Sequence, residues 1–157
     1  MIFVSVGSGN FDALIQTVDE ICARRPDLDT LMQIGSGSYQ PKHAPFFRFA
    51  PTLEPYYDQA DMVVAHGGVG VTMEVLRRGL VLIGVDNPDR PDQHQIDILS
   101  HLAEGGFLIW CHELSQLETT IDGAASRQLR QWRSDPCTIH LIVDDFLQAL
   151  LPETGSQ

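Results

Sequence analysis

Lysine is nearly absent from this sequence. Lys42 stands alone, and with the arginines it makes ten cations against 21 carboxylates, a net charge of −11. A chain of that sign repels nucleic acid and anionic bilayers, so non-specific attraction to either is excluded. Cysteine is also scarce. Cys22, Cys111 and Cys137 are an odd number without CxxC spacing, which speaks against a disulfide framework or a zinc site and fits reduced thiols. No apolar run reaches the length of a membrane span. The opening Met1-Ile2-Phe3-Val4-Ser5-Val6 enters structure directly, without the basic stretch of a cleavable leader. These absences predict a cytoplasmic protein whose attachment to an inner membrane face, where it occurs, is borrowed from a partner.

What remains is ordinary for a folded domain. The 157 residues are 43% hydrophobic and 20% charged, with no repeat, low-complexity tract or linker. One domain over residues 1–151 is expected, with a loose tail at 152–157.

Short apolar runs alternate with helical patterns. Strands are predicted at Ile2–Val6, Thr30–Ile34, Phe46–Phe49, Met62–Ala65, Leu80–Val85 and Phe107–Trp110. Helices are predicted at Phe11–Ala23, Leu53–Gln59, Val69–Arg78, Asp92–Glu104, Leu114–Ala125 and Thr138–Leu151. Strands apolar on both faces imply a Rossmann-like, mainly parallel sheet with helices on either side. Ligands of such sheets bind beyond the carboxyl ends of the strands, where the glycine-rich turns Gly7–Gly9, Gly35–Ser38 and His66–Gly70 fall.

The most informative segment is Ala65-His66-Gly67-Gly68-Val69-Gly70. It closes a strand and opens a helix, so its N–H groups can face an anion with no side chain in the way and with the helix dipole behind them. The same glycines also suit a plain tight turn. Glu74 lies about one turn further on, placed either to accept a ribose diol or to sit in solvent. Asp92 suits an N-cap, and His94 and Gln95 behind it offer donors and acceptors for sugar hydroxyls.

Other chemistries find little support. His66, His94, His101 and His112 lack HxH or HxxxH spacing, so no metal site is read. Gly7-x-Gly9-x-x-Asp12 loses the third glycine of a dinucleotide fingerprint, and Ile34-Gly35 replaces its ribose-binding acid, so no NAD or other cofactor is expected. Neither GxSxG nor a phosphate-binding P-loop occurs, and no carboxylate pair claims to flank a glycosidic bond.

As an ordered set, five segments resemble the C-terminal domain of family-28 glycosyltransferases. They are Met1–Ser8 with Phe11-Asp12-x-Leu14-Ile15, Gln33-Ile34-Gly35-x-Gly37-x-Tyr39, Ala60–Gly70, Glu74-x-Leu76-x-x-Gly79 and Asp92–Gln95. The stand-alone versions of that domain, including those of exopolysaccharide and capsule synthesis, look most similar. The likeness runs from Met1 to about Trp110; beyond that the chain matches only as helices.

The resemblance implies one half of a GT-B enzyme, the half that holds a UDP-sugar donor. A membrane-associated partner subunit would supply the lipid-linked acceptor and the catalytic base. Gly7 and Ser8 would border the cleft, and His66, Gly67, Gly68, Val69 and Gly70 would meet the diphosphate. Glu74 would meet the ribose, and Asp92, His94 and Gln95 the sugar. His66 is the one candidate base near the phosphates. The implied reaction is inverting and metal-independent. Two other readings stay open, a regulatory sugar-nucleotide-binding module and half of a sugar-nucleotide epimerase.

The chain departs from the family in places. Gly67 stands where alanine is frequent, expected to leave the loop more open, and Gln93 stands where asparagine is frequent. Leu80-Val81 replaces a frequent Lys-Pro, and Asp86-Asn87-Pro88-Asp89 is acidic on the sugar side. The sugar is therefore not named. Finally, Ile139, Ile142, Val143, Phe146, Leu147 and Leu150 form a helical stripe, with Leu141 and Leu151 off it. That helix either packs on its own sheet or recruits the partner.

Overall fold

The computed structural model describes residues 1–88, 94–133 and 138–150. Asp92, Gln93, the end of the proline-rich loop and the expected tail at 152–157 lie outside the described residues.

Six strands form one sheet: β1 (Ile2–Ser5), β2 (Thr30–Gln33), β3 (Phe46–Phe47), β4 (Met62–His66), β5 (Val81–Val85) and β6 (Ile109–Cys111). Their spatial order is β3-β2-β1-β4-β5-β6, and all five pairings are parallel. The helices are α1 (Asp12–Arg24), α2 (Glu54–Tyr57), α3 (Val69–Arg77), α4 (His94–Glu104), α5 (Leu117–Ala124, behind a 3-10 turn at Leu114–Gln116) and α6 (Ile139–Leu150).

The strand residues alternate between two cores, as a period of two requires. Val4, Met32, Val64 and Ile83 join Leu14, Ile15 and Val18 of α1 and Leu117 and Ile121 of α5 on one face. Phe3, Val63, Ala65 and Leu82 join Tyr57 of α2, Val75 and Leu76 of α3 and Leu99 and Leu102 of α4 on the other. Helix α2 has only four residues and is held by aromatic contacts. Tyr57 meets Phe3 edge-on at 5.6 Å, and Tyr56 stacks on Phe47 at 4.4 Å.

Every strand departs from the sequence pattern by at least a residue at one end or the other, and two limits depart by two residues. Strand β6 starts at Ile109 because the residues before it finish α4. Gly106 takes a left-handed φ of 74°, its N–H reaches the Ala103 carbonyl, and the Phe107 N–H reaches that of Leu102. Strand β3 stops at Phe47, and Arg48 turns its guanidinium to the carbonyls of Gly35 (3.1 Å) and Gly37 (2.7 Å).

One buried carboxylate anchors a loop. Asp19 of α1 is 1% exposed. It accepts the N–H groups of Lys42 (3.0 Å) and His43 (2.7 Å) and the Tyr39 hydroxyl (2.8 Å). Burial pushes its pKa upward, but these bonds outweigh burial and hold it below the usual carboxylate value. The stabilisation is therefore complete above the unfolded pKa near 3.8 and is lost as the pH falls through the lower folded value. Asp19→Asn should cost about 1.5–3 kcal/mol at pH 7, as expected for hydrogen bonds to a charged group. Denaturant melts should show the gap to wild type narrowing in acid, and a constant gap from neutral pH to pH about 3 would contradict this account.

Candidate functional site

The strand order reverses between β1 and β4, and the chains leaving these two strands border the crevice where such sheets bind nucleotides. After β1 comes the turn Gly7–Asn10, with Gly7 at a left-handed φ of 64° and Ser8 exposed. After β4 come His66, Gly67 and Gly68. The two turns touch through the His66 ring. A Cβ on Gly7 would lie 3.2 Å from its Cε1, and one on Gly68 would strike its Nε2. Gly68 is therefore required by the imidazole, whereas Gly7 is required by its left-handed φ and has the ring close beside it.

Gly68 is the N-cap residue of α3. Its carbonyl accepts the Thr72 N–H at 3.0 Å, and no side chain caps the helix. The N–H groups of Val69, Gly70 and Val71 have no carbonyl one turn back to bond. A Cβ on Gly70 would meet nothing within 4 Å, so packing does not require a glycine there. Gly67 is the reverse case. A Cβ there would lie 2.9 Å from the Gln95 carbonyl and 2.9 Å from Leu99 Cγ. The expectation that Gly67 opens the loop is corrected: its missing side chain is replaced by α4, which packs against the turn.

That packing brings the start of α4 to the site. His94, its first residue, is exposed, and Gln95 is half-buried with its Oε1 sequestered and unpaired among the described residues. Glu74 is exposed one turn into α3. Its side of the helix faces α2 and the buried Tyr57 hydroxyl. Burial, and then the Glu74 carboxylate, push that phenol's pKa far above its usual value.

Other residues shape the site in ways that the sequence did not assign to them. Asn87, beyond β5, donates to the Asn10 carbonyl at 3.1 Å and so ties a third loop to the first. Ser36 N–H reaches the Gly9 carbonyl at 2.9 Å, and the Ser38 hydroxyl and N–H reach Asp12. The Gly35–Ser38 loop is thus a brace for the Gly7 turn. Gln33 bonds the Gly7 N–H and carbonyl and the carbonyl of Arg48, whose guanidinium holds the Gly35 loop, and its placement at the polar end of an apolar strand was the available signal. No group of three His, Cys, Asp or Glu able to hold a metal occurs among the described residues.

A fully parallel sheet in the order β3-β2-β1-β4-β5-β6, with an uncapped, glycine-opened helix at its switch point, defines a Rossmann-like domain. The glycosyltransferase family 28 C-terminal domain model matches residues 1–140, and the chain belongs to that family. Human UDP-N-acetylglucosamine transferase subunit ALG13 is 30% identical over 129 residues, which cover 70% of this chain and 11% of that protein. The chain therefore spans about a tenth of the length of the curated relatives it matches. The glycosyltransferase of kitacinnamycin superposes with a TM-score of 0.62 at 25% identity, covering 80% of this chain and 34% of that one. The solution structure of ALG13 gives a TM-score of 0.61 at 19% identity, covering 98% of this chain and 95% of that one. The domain is a glycosyltransferase domain of the GT-B type.

The two glycines that differ in surroundings should differ in tolerance. Gly67→Ala forces a methyl against the α4 backbone and should destabilise by about 1–3 kcal/mol. Gly70→Ala should be neutral or stabilising by up to about 1 kcal/mol, because alanine is the better helix former. Urea melts of the two variants check this, and equal midpoints would contradict the packing described.

Proposed function

We propose that this chain is the donor-binding subunit of a two-component glycosyltransferase that moves a sugar from a UDP-sugar to a lipid-linked acceptor held by a membrane-associated partner. The observation that carries the reading is the start of α3, an uncapped helix whose Gly70 leaves unfilled space over free N–H groups. Those N–H groups and the helix dipole suit a diphosphate in the ground state and, more so, the charge that grows on it as the leaving group. Glu74, on the α2 side of the same helix, then accepts the ribose hydroxyls. The base extends toward the β3–α2 connection, where Phe49 is 59% exposed and offers a ring face. His94 and Gln95 reach the sugar from α4, and Asp92 belongs with them. His66, wedged between the two turns, faces the phosphates. The acceptor's proton is taken by a base of the partner.

The ALG13 relatives, subunits of a UDP-N-acetylglucosamine transferase, support both the nucleotide and the need for a second chain. So does α6. Its Ile139, Leu141, Ile142, Val143, Phe146 and Leu147 are 46–63% exposed, so the helix is not covered by its own sheet. No helix among the described residues is long and apolar enough to cross a membrane.

Calorimetry with UDP tests the donor site. Glu74→Ala should weaken UDP by on the order of ten- to a hundred-fold, the loss of charged hydrogen bonds. Gly70→Val should abolish UDP binding in a folded protein, and is a cleaner probe than a change at Gly68, where a Cβ would strike the His66 ring. Normal UDP affinity in both variants would remove α3 from the site.

Assembly is tested on α6. The double change Ile142→Asp, Phe146→Asp should leave UDP affinity unaltered and prevent co-purification with an acceptor-binding chain from the native host. Full transfer activity from the isolated wild-type chain would end the two-component reading.

A further inference from the structure

Gln33 is the last residue of β2 and is 4% exposed. A primary amide offers two donors and an acceptor oxygen with two lone pairs, and every one of these is used. Its Oε1 accepts the Ser5 hydroxyl at 2.5 Å and the Gly7 N–H at 3.2 Å. Its Nε2 donates to the carbonyls of Gly7 at 2.7 Å and Arg48 at 3.2 Å. One side chain thus grips Gly7 at both its N–H and its carbonyl.

This double grip matters because Gly7 is the left-handed residue on which the first turn pivots. The chain leaving β1 could take several paths once it passes the sheet edge, and a glycine resists none of them. With both peptide groups bound to a buried amide, one path is selected. Gly7 then forms the wall against which the His66 ring lies, and the ring's other side rests on Gly68, the N-cap of α3. A continuous chain of contacts runs from Gln33 through Gly7 and His66 to the uncapped helix start.

We propose that Gln33 is a positioning residue for phosphate recognition: it fixes Gly7, and through Gly7 the orientation of the His66 ring over the anion-facing end of α3. Gln33 lies under the turn, so its contribution to a ligand passes through these two residues. The ligand in this inference rests on the donor-site reading above; the positioning of His66 does not. A glutamine that only joined β1 to β2 would affect stability alone. A positioning glutamine affects the phosphate part of a nucleotide more than the nucleoside part, because the nucleoside lies toward Glu74 and α2.

The test compares UDP with uridine on three folded proteins: wild type, Gln33→Met and Asp19→Asn. Methionine keeps the volume and removes the hydrogen bonds, and Asp19→Asn is a control that loosens the fold at the 39–43 loop. Gln33→Met should lose about ten-fold or more in UDP affinity while uridine affinity changes by less than about two-fold. Asp19→Asn should leave the UDP-to-uridine ratio at its wild-type value. Equal losses for both ligands in Gln33→Met, or no loss, overturn the proposal. If Gln33→Met does not fold, Gln33→Asn keeps a polar amide that is too short to reach both Gly7 groups, and a wild-type ratio in that variant overturns it equally. A second readout needs no ligand. The nuclear Overhauser cross-peak between His66 Cε1–H and the Gly7 α-protons should be present in wild type and Asp19→Asn and absent in the Gln33 variant. Its persistence there overturns the proposal. Failure of wild type to bind UDP, with the cross-peak missing only in the Gln33 variant, overturns only the donor-site reading.

Discussion

In an all-parallel sheet every strand leaves the core at the same edge, and the chains emerging from neighbouring strands are only about 4.8 Å apart. Where the strand order reverses, those chains turn to opposite faces and a crevice opens between them. Here that crevice lies between β1 and β4, and the His66 ring bridges it, with Gly7 on one side and Gly68 on the other. Much of the local architecture follows from making room for that ring. Gly7 is left-handed and gripped by Gln33, and Gly68 has to lack a side chain. The Gly35 loop then closes over the Gly7 turn, where a Cβ on Gly35 would fall 2.7 Å from the Gly7 carbonyl.

The second constraint is charge. On the proposed donor-site reading, a chain with a net charge of −11 would hold a dianion without a local surplus of cations. The arginines whose bonds are described are engaged in structure: Arg48 holds the Gly35 and Gly37 carbonyls, Arg78 meets Glu54, and Arg24 and Arg25 meet the carboxylates of α5. That leaves oriented backbone dipoles as the main attraction, which fall off within about a turn of the helix end. Recognition by dipoles is short in range and strict in geometry. A small rotation of the first turn matters more to such a site than to one built around a flexible lysine, which can follow its phosphate.

Much of this was legible in the sequence because the apolar runs are short, clean and separated by glycines. Val63, Val64 and Ala65 are buried on both faces, and such a run reads as a parallel strand whichever face is considered. The legible part ends where a residue's role depends on contacts distant in the chain. Gly67 looked like an opened loop, and only the approach of Leu99, 32 positions along, shows that it is a packing site. Gln33 belongs to a recognisable motif, yet its use of every hydrogen-bonding position depends on partners from β1 and from beyond β3. Asp19 reads as the polar side of an amphipathic helix and is buried because a loop 20 residues later supplies its donors. In α6 periodicity gave the helix correctly, but a stripe cannot say whether its apolar face is turned toward its own core.

The exposed face of α6 also limits how a complex can hold together. Fully burying a large aliphatic or aromatic side chain contributes about 1.5–3 kcal/mol. Ile139, Leu141, Ile142, Val143, Phe146 and Leu147 are already about half covered, at 46–63% exposure, so each has roughly 1 kcal/mol left to give. Their joint contribution of several kcal/mol is comparable to the ~4–15 kcal/mol lost in translational and rotational freedom on association. Helix α6 alone would therefore support at most a weak complex. A stable pair needs further surface, and in a GT-B arrangement that surface would be the carboxyl edge of the sheet, where the proposed donor site lies. Assembly and donor binding would then share an interface. Shared contacts imply coupling, and coupling is reciprocal: a nucleotide that orders the Gly7 and His66 turns would tighten the subunits, and the partner would tighten the nucleotide by the same factor.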